Sequence, residues 1–213
     1  MRSATLKITD APARAKFDAL AKTADVFFAN RRYDYLERHG LTAEEMAAAN
    51  PNLVHTNVIY GNTIGLPWGD RVGFDVSTGF ALGLDCLEGT DEKPEFPPIF
   101  VVNDYVASWL ATVGTLQALK RRATEGGSYK VTVSISRTTL WLISMGVFDK
   151  AYTQATAGSS DEHLYVEPEL FTAETPMGTY TGVSEMVEMS KTPGSYRFPR
   201  EPRGAAKPEW LEG

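Results

Sequence analysis

Hydrophobic positions along the chain change period repeatedly, and each change marks an element. Between Pro12 and Thr23, Ala13, Phe17, Leu20 and Ala21 recur near helical spacing behind Asp10, a residue suited to capping. The pattern predicts a surface helix with one buried stripe. Ala24-Asp-Val-Phe-Phe-Ala-Asn30 is a short apolar run ending in a polar residue, as in a buried strand that feeds a loop. Thr42-Ala-Glu-Glu45 has capping-box spacing and opens a second helix, which stops before Asn50-Pro51. Leu53 to Tyr60, rich in β-branched and aromatic residues, predicts the next strand. Helix, strand, helix, strand in that order argues for an α/β domain built on a parallel sheet.

Glycines recur from Gly61 to Gly89, so the backbone there turns often or approaches something closely; loops and short helices both fit. Asp91 to Pro98 predicts an exposed connector, because its prolines refuse helix and central strand alike. Ile99 to Asn103 is a short apolar run. Asp104 to Arg122 then reads as a long helix with Val106, Trp109, Leu110, Val113, Leu116 and Leu119 inside. It closes on Lys120-Arg-Arg122, cations at the negative end of the helix dipole, with Gly126-Gly127 beyond. Tyr129 to Ile135 alternates like a strand, and Arg137 to Tyr152 reads as one further apolar helix. The expected organisation is a domain over 1–152, a polar linker over 153–168, and an extended, Pro- and Glu-rich segment over 169–213 that wraps a neighbour more than it packs on itself.

Composition narrows the function classes. The 213 residues carry 21 Lys and Arg against 27 Asp and Glu, a formal charge of −6, which argues against a phosphate-neutralising nucleic-acid surface. Hydrophobic residues at 43% and charged residues at 23% suffice for a core. The single Cys86 forms no internal disulfide and agrees with a reducing cytoplasm. No apolar run approaches the roughly 20 residues of a membrane helix, and the start lacks the apolar core of a secretory signal, so a cytoplasmic location without membrane attachment is expected. His39, His55 and His163 are far apart and Cys86 has no second thiol at ligand spacing, so no metal site is expected. There is no Walker loop and no G-x-S-x-G elbow; Gly126-Gly-Ser128 reads as a helix-ending turn or an anion-binding turn.

Asp104 stands out as a carboxylate between an apolar run and the first turn of a long helix. Free N–H groups and the dipole favour its anion there. It reads as a helix cap or as a nucleophilic carboxylate held ionised at a sheet edge, where open α/β sheets bind ligands.

Several segments, in order, resemble the family III CoA-transferases, which include formyl-CoA and carnitine CoA-transferases and α-methylacyl-CoA racemase. They are Ala24 to Arg31, Leu36-Glu-Arg38, Gly40-Leu41, Asn50 to Val54, Tyr60-Gly61, Gly65-Leu-Pro67 and Arg71-Val-Gly-Phe-Asp75. Further on come Asn103-Asp104, Gly114, Ala118-Leu119, Glu125 to Ser134 and Trp141-Leu142, then Thr175 to Gly178, Met189 to Pro193 and Pro202-Arg-Gly204. The resemblance implies a Rossmann-like parallel sheet with helices on both faces and an extended C-terminal tail. It implies transfer of CoA between carboxylic acids, with acyl-CoA and a carboxylate as substrates and no permanently bound cofactor. Asp104 would be the catalytic residue, passing through a mixed anhydride and an aspartyl-CoA thioester; Asn30, Arg31 and Arg38 would bind the CoA nucleotide. The family's first strand and turn have no counterpart here, nor has its smaller intervening domain. A homo-oligomer or a second subunit supplying the missing half is therefore expected. The alternatives are a non-catalytic structural or regulatory subunit and an acyl-CoA racemase; against the latter, Phe74 stands where the racemases have His.

Overall fold

The computed structural model describes residues 2–61, 71–96, 101–156 and 167–211. Its elements fall into two units, residues 21–153 and residues 1–20 with 154–213. In the first, β1 (Val26–Ala29), β2 (Val54–Ile59) and β3 (Tyr129–Ser134) form a parallel sheet in the order β1-β2-β3. Val26 lies opposite Val54, and Val54 opposite Tyr129.

Alternation along β2 sends its side chains to two covered faces. On one, Thr56 Oγ1 lies 2.7 Å from Thr115 Oγ1 of the long helix α6 (Val102–Glu125). On the other, His55 donates from Nε2 to the Leu41 carbonyl at 3.0 Å. Lys130 of β3 pairs there with Glu44 at 3.1 Å, so α2 (Tyr33–Arg38) and α3 (Ala43–Ala49) cover that side. The capping box read from Thr42 and Glu45 is formed. Asn50 does more than stop α3: its Nδ2 donates to Ala21 O at 3.0 Å and Ala24 O at 2.9 Å, and its Oδ1 accepts from Asn52 N at 3.2 Å.

Between β2 and β3 the chain forms α4 (Asp75–Leu82), α5 (Leu84–Glu88) and α6. The buried side of α6 corrects the sequence reading. Val113, Leu116 and Trp109, expected inside, are 62%, 60% and 44% exposed, whereas Asn103, Ala107, Ala111 and Ala118 are buried. The cause is the closeness of helix and sheet. A Cβ on Gly114 would lie 2.8 Å from Val131 Cγ1 of β3, so the sheet-facing stripe admits only small side chains and the large ones fall on the opposite side. The single helix expected over 137–152 is two, α7 (Ile135–Ser144) and α8 (Lys150–Thr156), broken around Gly146, whose φ of 96° only glycine adopts readily.

In the second unit, α1 (Ala11–Ala21) has its stripe of Ala13, Phe17 and Leu20 only half-buried. The C-terminal segment, expected to be extended throughout, contains an antiparallel hairpin of β4 (Leu170–Thr175) and β5 (Gly178–Val183). Phe171 of β4 stacks on Tyr196 with ring centroids 4.9 Å apart. The amino-terminal residues join this segment: Ala206 N donates to Ser3 O at 2.8 Å and Gly204 N to Ser3 Oγ at 2.9 Å. Residues 91–96 of the expected connector are exposed. Its remainder, with Ile99-Phe100, Gly65 to Pro67 and most of the linker after Thr156, lies outside the described residues.

Candidate active site

Parallel strands end together, and here β1, β2 and β3 each deliver the chain to one cavity of about 590 Å³. Asn30, Arg31 and Arg32 follow β1, Tyr60 follows β2, and Ile135 follows β3; all line it. This is the carboxyl-end crevice at which open α/β sheets bind ligands. Its volume lies within the roughly 300–1,000 Å³ of small-molecule sites. Arg71, Phe74 and Asp104 complete the chemistry of the wall.

The ends of the strands are held tightly. The Tyr60 carbonyl accepts from Ser136 N at 3.1 Å, Ser136 Oγ at 2.7 Å and Ser134 Oγ at 3.2 Å, tying β2 to the start of α7. A Cβ on Gly73 would overlap the Tyr60 ring, so the glycine-rich stretch supplies a close backbone approach at this point. Asn57 donates from Nδ2 to the Arg31 carbonyl at 3.4 Å, and the Arg31 guanidinium sits 5.6 Å from the Tyr35 ring centroid.

Asp104 occupies the third position of α6. Its backbone N–H donates to Asp75 Oδ2 at 2.7 Å, while its carboxylate caps no N–H among the described residues. Asp104 is exposed at the cavity wall, and partial loss of water there, followed by the nearby Asp75 carboxylate, raises its pKa above the ordinary aspartate value of 3.8. Three guanidinium groups, Arg31, Arg32 and Arg71, share the cavity with it. The arrangement therefore couples a basic carboxylate to a cationic mouth that draws in anions.

The structure thus brings Asp104, Asn30 and Arg31 together. Arg38 is not among the residues lining the cavity; it is exposed on α2 and pairs with Asp34 at 3.0 Å. Sequence reasoning missed Arg32, Arg71 and Asp75 as parts of the site. Position just after a strand end was a usable signal for Arg32, whereas Arg71 precedes α4 in the glycine-rich stretch and Asp75 reads as an ordinary first-turn residue of its own helix. Among the described residues no group of His, Cys, Asp and Glu could hold a metal ion, and no helix is long and apolar enough to cross a membrane.

Known proteins share this framework. The chain is 28% identical to the succinyl-CoA–L-malate CoA-transferase alpha subunit of Chloroflexus aurantiacus over 74% of its own length and 38% of that protein. It is 29% identical to the (R)-2-hydroxy-4-methylpentanoate CoA-transferase of Clostridioides difficile over 57% of its length and 31% of that protein. Among solved structures, the hypothetical protein Rv3272 of Mycobacterium tuberculosis superposes with a TM-score of 0.62 at 27% identity, covering 68% of this chain and 40% of that one. The chain spans well under half the length of these relatives. Residues 1–180 match the CoA-transferase family III, and the chain belongs to that family.

Proposed function

We propose that this chain is the nucleophile-bearing part of a cytoplasmic CoA-transferase that moves CoA between two carboxylic acids. The observation that carries the reading is Asp104, a carboxylate of raised basicity in a cavity walled by three arginines, within a chain of this family. A more basic carboxylate is the better nucleophile toward a thioester carbonyl. One Asp104 oxygen attacks that carbonyl and expels CoA thiolate, leaving a mixed anhydride. The thiolate then attacks the aspartyl carbonyl, releasing the first acid as its carboxylate and forming an aspartyl-CoA thioester. The second carboxylate attacks this thioester, the thiolate leaves and returns to the new acyl carbonyl, and Asp104 is regenerated. Asn30 and Arg31 bind CoA at the cavity, and Arg38 meets its nucleotide portion further out. Arginine suits this task because its charge is permanent and its donor fork matches phosphate.

A second polypeptide or a second copy completes the enzyme in this reading. The exposed side of α6 bearing Trp109, Val113 and Leu116 supports it, as does the alpha-subunit name of one relative. The same observations favour, as a second reading, a subunit that assembles without turnover. Incubation with succinyl-CoA and a panel of other acyl-CoAs, followed by mass spectrometry, separates the two. The enzyme gains one CoA, less water, on the peptide containing Asp104, and Asp104→Asn abolishes the adduct. Adduct formation that persists in Asp104→Asn refutes the nucleophile, and its absence with the partner present selects the non-catalytic subunit.

A further inference from the structure

The first turn of α6 lacks a cap of its own. Val101 precedes it and offers no side-chain acceptor, so the N–H groups of the first turn need partners from elsewhere. One comes from another helix. Asp75, the first residue of α4 and only 5% exposed, accepts the Asp104 N–H on Oδ2 at 2.7 Å and the Asn103 Nδ2 on Oδ1 at 3.3 Å. Asn103 is oriented in turn: its Oδ1 accepts from Thr139 Oγ1 of α7 at 2.7 Å. Asn103 and Thr139 are 1% and 0% exposed. Helices α4 and α7 thus converge on the first turn of α6, which carries Asp104.

We propose that Asp75 is a positioning residue for Asp104: its carboxylate caps α6 from the neighbouring helix and fixes the backbone that aims Asp104 into the cavity. The proposal rests on the reading of Asp104 as nucleophile. A neutral cap would satisfy the same N–H, so the charge of Asp75 has a separate consequence. It opposes ionisation of Asp104 and keeps that carboxylate basic, which a purely structural cap does not do. Among the described residues, the other charged or titratable groups facing Asp104 are Arg31 and Arg32 after β1, Tyr35 on α2, Tyr60 after β2 and Arg71 before α4, with Asp85 on α5 behind Asp75.

The test uses the full chain carrying Asp75→Ala, Asp75→Asn or Thr139→Val, checked for folding by circular dichroism. Three readouts are followed: hydrogen exchange at the Asp104 amide, the carbon-13 titration of the Asp104 carboxyl, and the rate of CoA-adduct formation from succinyl-CoA. Asp75→Ala is expected to speed amide exchange by tenfold or more and to lower the titration midpoint of Asp104. Asp75→Asn, which keeps an acceptor and removes the charge, is expected to lower the midpoint while preserving most of the exchange protection. Adduct formation falls tenfold or more in Asp75→Ala and less in Asp75→Asn; Thr139→Val weakens protection without moving the midpoint. An Asp75→Asn midpoint equal to that of the unaltered chain overturns the proposal, as does unchanged amide protection in Asp75→Ala. If Asp75→Ala does not fold, Asp75→Asn and Thr139→Val decide alone. Responses in exchange and titration without any adduct in the unaltered chain, even in the complete assembly, select the non-catalytic subunit and leave the cap standing.

Discussion

Replacing Asp85 by Asn is expected to stabilise the protein at neutral pH, because this carboxylate is buried with too few partners. Asp85 is 1% exposed, and its Oδ2 has no hydrogen-bond partner among the described residues. It is also pressed on the α4 backbone: a Cβ on Gly79 would lie 2.6 Å from Oδ2. Burial first, and then the field of Asp75, raise its pKa above the ordinary value of 3.8. As pH rises, the unfolded chain releases this proton before the folded one does. Below the ordinary value both states are protonated and nothing is lost. Stability then falls as pH climbs from there through the raised folded value, and stays lower above it. A buried polar group without a partner costs about 1–3 kcal/mol, and more when charged; Asp85→Asn removes only the charge, so it should recover about 1–3 kcal/mol at pH 7 and almost nothing near pH 3. With a urea dependence of about 1–3 kcal/mol per molar, the midpoint at pH 7 should rise by roughly 1 M. The assay is urea unfolding at several pH values followed by tryptophan fluorescence, to which Trp109 and Trp141 contribute. A variant no more stable than the parent at pH 7, or a gain of equal size at every pH, would refute the reasoning and show that Asp85 has a partner that keeps it ionised.

Other outcomes follow from the same packing. Asn50→Ala removes the ties to Ala21, Ala24 and Asn52 and strands two carbonyls, so chemical denaturation should show a loss of about 2–4 kcal/mol. Gly114→Val thrusts side-chain atoms into Val131 where even a Cβ stands 2.8 Å away, and should lower stability by about 1–3 kcal/mol, with Gly114→Ala milder in the same thermal-melt series. No racemisation of 2-methylacyl-CoA is expected: Phe74, on the cavity wall and 71% exposed, carries no proton, so incubation in deuterated water should leave the α-carbon unlabelled. Rapid uptake of deuterium would restore the racemase reading.

How much of this was legible beforehand depended on the range of the interaction. Strands β1 to β3, the capping box at Thr42 and the long helix through Asp104 follow from local period and short-range capping chemistry, which a single sequence records directly. Asp104 was legible locally only as a carboxylate at a helix start, a cap or a nucleophile; the resemblance to the family singled out the second role. Facing was less accessible. Periodicity located a hydrophobic stripe on α6 at Trp109, Val113 and Leu116, yet the sheet lies against the alanine side, because the approach of Val131 to Gly114 sets how large a facing side chain can be. Distance along the chain hid the rest. Asp75 and Asn103 lie 28 positions apart with nothing between them that signals a shared hydrogen bond, and the stitching of Ser3 to Gly204 and Ala206 spans almost the whole chain. The sequence by itself therefore determined strands β1 to β3, the capped helix α3 and the long helix α6, in their order, since these depend on neighbours within a few residues; Asp104 became the candidate nucleophile through the family resemblance. Only the tertiary structure decided which face each helix buries, which arginines reach the cavity and what holds Asp104 in place, because those depend on chain segments that meet only once the sheet has formed.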